Sequence, residues 1–121
     1  MHNFKELKFW QKAIDFCLDI YKLTGQFPNE EKFGLTSQLR RAGVSVPSNI
    51  AEGSGRNGDK EFLHFLSIAT GSSYEIEIQL IIAHKLGYIK EEEIKVATLK
   101  LSEILKMIFA FSKRIKENIQ S

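Results

Sequence analysis

The sequence predicts an all-α protein: one antiparallel up-down-up-down four-helix bundle spanning residues 1–121, with a Pro-kinked second helix. Three features predict it. Apolar residues recur at steps of three and four through four long segments. No segment alternates with period two for long enough to make a strand. Short glycine-containing stretches separate the segments, which favours antiparallel neighbours. The chain's 121 residues suit one core, and four ordinary helices would use nearly all of them.

The first helix should run from about Glu6 to Thr24. Lys8, Gln11, Lys12, Asp15, Asp19 and Lys22 form one narrow polar stripe. Trp10, Ala13, Ile14, Cys17, Ile20 and Tyr21 face the other way, as a core seam would. Phe9, Phe16 and Leu23 add a further apolar row at intervals of seven, more than one seam requires. Gly25 and Phe27-Pro28 end the helix.

A second helix is expected from Asn29, an N-cap followed by Glu30 and Glu31 beside the positive end of the dipole. Phe33, Leu35, Leu39, Ala42, Val46 and Ile50 keep helical spacing. Pro47 falls inside this pattern, removes a backbone donor and should kink or break the helix near Gly43–Val46. The segment should stop near Gly53–Gly58.

Asp59 is placed to cap a third helix reaching about Leu86. Phe62, Phe65, Leu66, Ala69, Ser73, Ile76, Leu80 and Ala83 mark its core face. Gly71-Ser72-Ser73 puts small residues mid-helix, where a close neighbour is the usual reason. Gly87 is a natural left-handed stop.

The fourth helix should run from about Glu91 to Asn118. Three glutamates open it and Lys113, Arg114 and Lys116 close it, both complementing the dipole. Ile94, Ala97, Leu101, Ile104, Ile108, Phe111 and Ile115 make an unbroken heptad seam. Leu105, Met107 and Phe109 form a second apolar flank.

Composition bounds the function. Hydrophobic residues are 43% and charged residues 26%, values of a folded chain. The formal charge of +2 does not by itself imply nucleic-acid binding. A single cysteine, Cys17, makes no intrachain disulfide. No signal-like leader or run of about 18 apolar residues occurs, so a cytoplasmic, non-membrane protein is expected. The surplus rows containing Phe9, Phe16 and Phe109 point to burial against identical neighbours. The plainer alternative is packing under loops or single exposed rings. These three phenylalanines are the candidate oligomer interface.

The most distinctive residues are the block Gly34-Leu35-Thr36-Ser37-Gln38-Leu39-Arg40-Arg41-Ala42 and its continuation Ser45-Val46-Pro47-Ser48-Asn49-Ile50-Ala51-Glu52-Gly53. With them go Phe62-Leu63-His64-Phe65-Leu66-Ser67-Ile68-Ala69-Thr70-Gly71-Ser72, the opening Leu7-Lys8-Phe9-Trp10-Gln11-Lys12-Ala13 and the Phe27-Pro28 pair. From Phe4 to about Ile115 the chain resembles the bacterial family of proteins encoded in 23S ribosomal RNA intervening sequences, also labelled a ribosomal protein family. The resemblance implies an antiparallel four-helix bundle without established enzymatic activity. It also implies kinship with the accessory protein of diversity-generating retroelements, a barrel-shaped homopentamer that binds nucleic acid and a reverse transcriptase. A homopentamer is therefore the leading expectation. Those relatives are strongly basic, whereas this chain carries +2.

Arg41, Ser45, Asn49 and Glu52 step by four, four and three along the second helix. Ser72, Glu75 and Gln79 do likewise on the third. A structural polar network built on Arg41, Asn49, Glu52 and Glu75 would fix helix register beside Pro47; contact with a ligand or RNA is the alternative. Candidate nucleic-acid contacts are Arg40, Arg41, Arg56, Lys60, Lys106, Lys113 and Arg114. The ordinary reading of the basic residues on the fourth helix is a solvated face. The segment Gly53-Ser54-Gly55-Arg56-Asn57-Gly58 lacks the preceding strand and the Lys-Ser/Thr ending of a phosphate-binding loop, so it reads as a turn. Glu61 and His64 have di-iron spacing without a second copy, so no metal site is expected. No nucleophile–base pair, cofactor loop or triad is present, and the protein is read as non-enzymatic without cofactors. Two partner classes follow: RNA or DNA bound by a homo-oligomer, or an unidentified protein recruited to a scaffold that touches no nucleic acid.

Overall fold

The computed structural model describes residues 2–120 and contains four long helices: α1 (Lys8–Thr24), α2 (Leu35–Ser54), α3 (Asp59–Lys85) and α4 (Glu91–Gln120). Short 3-10 turns at Phe4–Glu6 and Asn29–Glu31 precede α1 and α2. Each helix packs on its neighbours in sequence and α4 returns to α1. The α2–α3 contact is the most extensive and α1–α4 the sparsest.

Cross-helix pairs set the directions. Trp10 reaches Pro47, and Arg40 reaches Thr24. Ser45 meets Ser72. Phe62 touches Phe111, and His84 pairs with Glu91. Lys12 pairs with Glu103, and Lys100 with Asp19. In every couple the numbering rises on one helix and falls on the other, so all four contacts are antiparallel.

The core face of α1 differs from the sequence expectation. Phe9, Ala13, Phe16, Cys17, Ile20 and Thr24 are buried, while Tyr21 is exposed and Trp10 half-buried. The face is rotated by about 60° at 100° per residue. Rings with polar atoms lie at its edge. Trp10 Nε1 donates to the Pro47 carbonyl at 3.1 Å, and Tyr21 lies under the Arg40 guanidinium at 4.7 Å. Phenylalanine has no such partner to reach, so Phe9 and Phe16 take the centre.

α2 begins later than the Asn29 cap suggests. Asn29–Glu31 closes a separate 3-10 turn, and the helix starts at Leu35. Glu31 Oε1 accepts from the Leu35 amide at 3.2 Å, supplying the cap from four residues back. Phe33 is left in the turn between the two. Pro47 does not interrupt the helix, which runs through it to Ser54. α3 follows Gly58, whose φ of +121° suits glycine, and Asp59 lies in its first turn without making a capping bond. Gly87, at φ +84°, ends the α3 region as the sequence predicts.

Aromatic groups close the two ends of the bundle. At one, Phe111 packs on Phe9 and Phe62, and the His2 ring lies against Phe62 and Phe111. At the other, Phe27 meets Tyr88, whose hydroxyl donates to Glu31 Oε2 at 2.8 Å. That bond and the nearby acidic charge hold the Tyr88 phenol above its ordinary range. The sparse α1–α4 contact is laced by exposed pairs. Lys12 holds the Glu103 carboxyl below its usual range, so this pair contributes above the ordinary glutamate range and is lost as pH falls through the lowered value.

The tightest approach is at Gly53. A Cβ there would lie 2.7 Å from Phe65 Cβ and 2.9 Å from Phe62 Cδ1. We therefore expect Gly53→Ala to lower stability by about 1–3 kcal/mol through overpacking, despite alanine's better helix propensity, as read from urea denaturation midpoints.

Candidate functional site

Three features qualify as sites: a polar cleft between α2 and α3, a scatter of basic side chains, and a contiguous apolar surface.

The cleft has a volume of about 360 Å³ and is lined by Gln38, Arg41, Ser45, Ser72, Glu75 and Gln79, with Ala42. Small residues bring the helices close enough for the Ser45 and Ser72 hydroxyls to bond at 2.8 Å. Asn49 Nδ2 donates to the Ser45 carbonyl at 2.8 Å and to Ser45 Oγ at 3.0 Å. The structure thus brings Arg41, Ser45, Asn49, Ser72 and Glu75 to one seam, but the linkage runs through the serines. Arg41 and Glu75 form no ion pair among the described residues. Glu52 turns instead to Arg56, one turn on, at 3.3 Å. Gln79 Oε1 is buried and has no hydrogen-bond partner among the described residues.

The basic candidates divide by what already holds them. Arg40 donates Nε to Thr24 Oγ1 at 2.8 Å and NH2 to the Tyr21 carbonyl at 3.3 Å, so it closes the C-terminal end of α1. Arg56 lies over the Phe65 ring at 4.9 Å, and Arg114 over Phe111 at 5.7 Å. Because Phe62 packs on Phe111, these two arginines and Lys60, in the first turn of α3, gather at one end of the bundle. Lys113, beside Arg114, is exposed near that end, and Lys106 is exposed two turns earlier on α4.

Among the described residues no group of three or more His, Cys, Asp or Glu could hold a metal ion. Glu61 and His64 are both exposed. His84 instead bridges α3 to Glu91 of α4 at 2.8 Å. Cys17 is buried against α1–α2, and that burial pushes its thiol up. It is packing, not an activated nucleophile. No helix is long and apolar enough to cross a membrane.

The proposed aromatic interface is corrected at two of its three positions. Phe9 is 4% exposed and Phe16 3%, both inside a single chain. Neither is left for a neighbour to cover. Phe109, at 49%, does face outward. The larger apolar surface lies on α3, where Ile68, Tyr74, Ile78, Ile81, Ile82 and Leu86 are all exposed. The core face that the sequence predicts, from Phe62 to Ala83 at steps of three and four, does not include them. The available signal was isoleucine at 78, 81 and 82, off the stripe that runs Phe62, Leu66, Ala69, Ile76, Leu80 and Ala83.

A family model described as 23S rRNA-intervening sequence protein matches residues 5–110. A crystal structure from Bacteroides thetaiotaomicron VPI-5482, of a protein with unknown function from the S23 ribosomal protein family, superposes with a TM-score of 0.80. It is 27% identical, and the match covers 87% of this chain and 95% of that one. No curated protein matches the chain.

Two measurements test this description. Cys17 should be inert to a thiol reagent in the native protein and react fully in urea. A double-mutant cycle over Ser45→Ala and Ser72→Ala should give a coupling of about 0.5–1.5 kcal/mol, as a half-buried hydroxyl pair would.

Proposed function

The chain belongs to the family of 23S rRNA-intervening sequence proteins, and from that footing we propose that it is a homo-oligomeric, non-catalytic bundle, a pentamer by preference, that serves as an RNA- or DNA-binding accessory protein. The exposed face of α3 carries this reading. Its isoleucines and tyrosine lie on successive turns of one helix, and monomers seldom keep such a face in water. The resemblance to a pentameric family of accessory proteins supplies the preferred number.

Nucleic acid enters through geometry more than through net charge, which is +2. Arg56, Lys60, Lys113 and Arg114 collect toward one end of the bundle. A cyclic assembly repeats that end in every copy on the same rim, and so pools charge that a single chain scatters. One observation favours the second reading, an interaction scaffold that binds another protein and no nucleic acid. Arg40 and Arg56 are already engaged within the chain by Thr24, Tyr21 and Glu52, which leaves fewer free cations.

Light scattering should give a particle several times the 13.9 kDa chain mass, with five copies favoured. A species of one chain mass would defeat the assembly reading. A mobility-shift titration with structured RNA at two salt concentrations should show binding that weakens steeply with salt, and weakens further in Lys60→Glu with Arg114→Glu. Absence of any shift at low salt leaves the scaffold reading in its place.

A further inference from the structure

Two unlike apolar surfaces lie on this one chain. The first is the outer face of α3. At 100° per residue Tyr74, Ile78, Ile81 and Ile82 share one outward arc, and Gly71 falls on the same line. A Cβ on Gly71 would meet nothing within 4 Å, so no contact inside the chain calls for glycine there. From Ile68 to Ile82 the only charged residues are Glu75 and Glu77, and neither is ion-paired among the described residues. This surface is a ridge flanked by Glu75 on one side and Glu77 on the other.

The second surface is a groove of about 510 Å³ between α1 and α2. Tyr21, Phe33 and Val44 give it an apolar floor, and Lys32, Arg40 and Arg41 line it without any acidic residue. Phe33 is 90% exposed, the most open of the large apolar side chains. Among the described residues its ring contact is with the neighbouring Lys32, whose ammonium lies 5.5 Å from the ring centre.

The charged residues beside the ridge are acidic and those lining the groove are basic. Ridge against ridge would bring Glu75 and Glu77 against their own copies, an arrangement that like charges disfavour. Resting on the homo-oligomer reading above, we infer that the α3 ridge of one copy seats in the α1–α2 groove of the next. The contact is then head-to-tail, each chain offers one ridge and one groove, and closure of the series gives a ring. Gly71 lets the neighbouring backbone approach the ridge closely, and Phe33 packs on the apolar arc beside it. Glu75 and Glu77 come within range of Lys32 and Arg41.

Complementation tests the geometry. Ile78→Asp disables the ridge and keeps the groove; Phe33→Asp does the converse. Both positions are exposed, and circular dichroism checks that each variant keeps its helices. Each variant alone should be monomeric by light scattering. An equimolar mixture should form a dimer of about twice the 13.9 kDa chain mass and nothing larger, because only one competent contact remains per pair. Should either variant lose its helical signal, Tyr74→Arg and Val44→Asp replace the pair with the same expectation. A wild-type oligomer whose two variants are monomeric but do not rescue each other would overturn the head-to-tail pairing. So would Phe33→Asp assembling like wild type, or a mixture larger than a dimer. A monomeric wild type would instead overturn self-association itself, and the two failures are distinct.

Discussion

The close packing of α2 on α3 sets the conditions for everything else in this molecule. Gly53 lets the Phe62 and Phe65 side chains reach the α2 backbone, where any Cβ would collide with them. Further along the seam Ala42 lies in one cleft with Ser72, and the Ser45 and Ser72 hydroxyls bond across it. Ser73 is fully buried and returns its hydroxyl to the Ala69 carbonyl, so its polarity is answered without a cross-helix partner. Small side chains and local hydrogen bonds allow a near approach that two leucine-lined helices could not make.

That approach has a consequence for α3. Around Ser72 a small residue takes its α2-facing side, Phe62 and Phe65 do so only opposite Gly53, and its other large core residues fill the bundle centre. Helices on a square leave every corner an outer side, which α4 fills mainly with charge and α2 with Gln38, Arg41, Val44, Ser48 and Glu52. α3 places Ile78 and its neighbours there instead. The self-association surface and the tight α2–α3 seam are thus two sides of one helix, fixed in orientation by the same packing. Any pairing through α3 inherits its precision from Gly53 and the serines beneath it.

How much of this was legible in the sequence depends on whether the controlling interaction is local. Gly87 and the Gly53–Gly58 stretch marked helix ends correctly, because a left-handed residue or a run of glycine acts on its own backbone. The heptad seam of α4 was readable for the same reason: Ala97, Leu101, Ile104, Ile108 and Ile115 are all buried. The start of α2 was not, since the cap that matters is the Glu31 side chain reaching forward to Leu35 rather than Asn29. The rotation of α1 was also hidden. Phe9 and Trp10 are equally apolar in a periodicity count, and only the Pro47 carbonyl on another helix decides which ring lies at the edge. Of the polar cluster, the stripes were visible and the bonds were not. Arg41 and Glu75 share a cleft, but serine distances of 2.8–3.0 Å carry the linkage.

The exposed residues of α3 would carry little weight one at a time, because any soluble protein shows isolated isoleucines to water. Their contiguity changes the inference. Ile78, 57% exposed, has Ile81 and Ile82 one turn ahead and Tyr74 one turn behind, all exposed. Gly71 continues the line another turn, in a helix interior where glycine costs about 1 kcal/mol against alanine. A lone monomer gains nothing from that glycine, since the space around its missing Cβ is empty. Charge placement agrees with the hydrophobic pattern. The charged residues that line the α1–α2 groove are all basic, and those in the middle of α3 are all acidic. Arg41 and Glu75 share the α2–α3 cleft of one chain, but Lys32 and Arg40 line the groove and Glu77 stands on the far flank of the ridge. That partial separation of sign gives a chain that meets its own copies a means to draw unlike faces together and keep like faces apart.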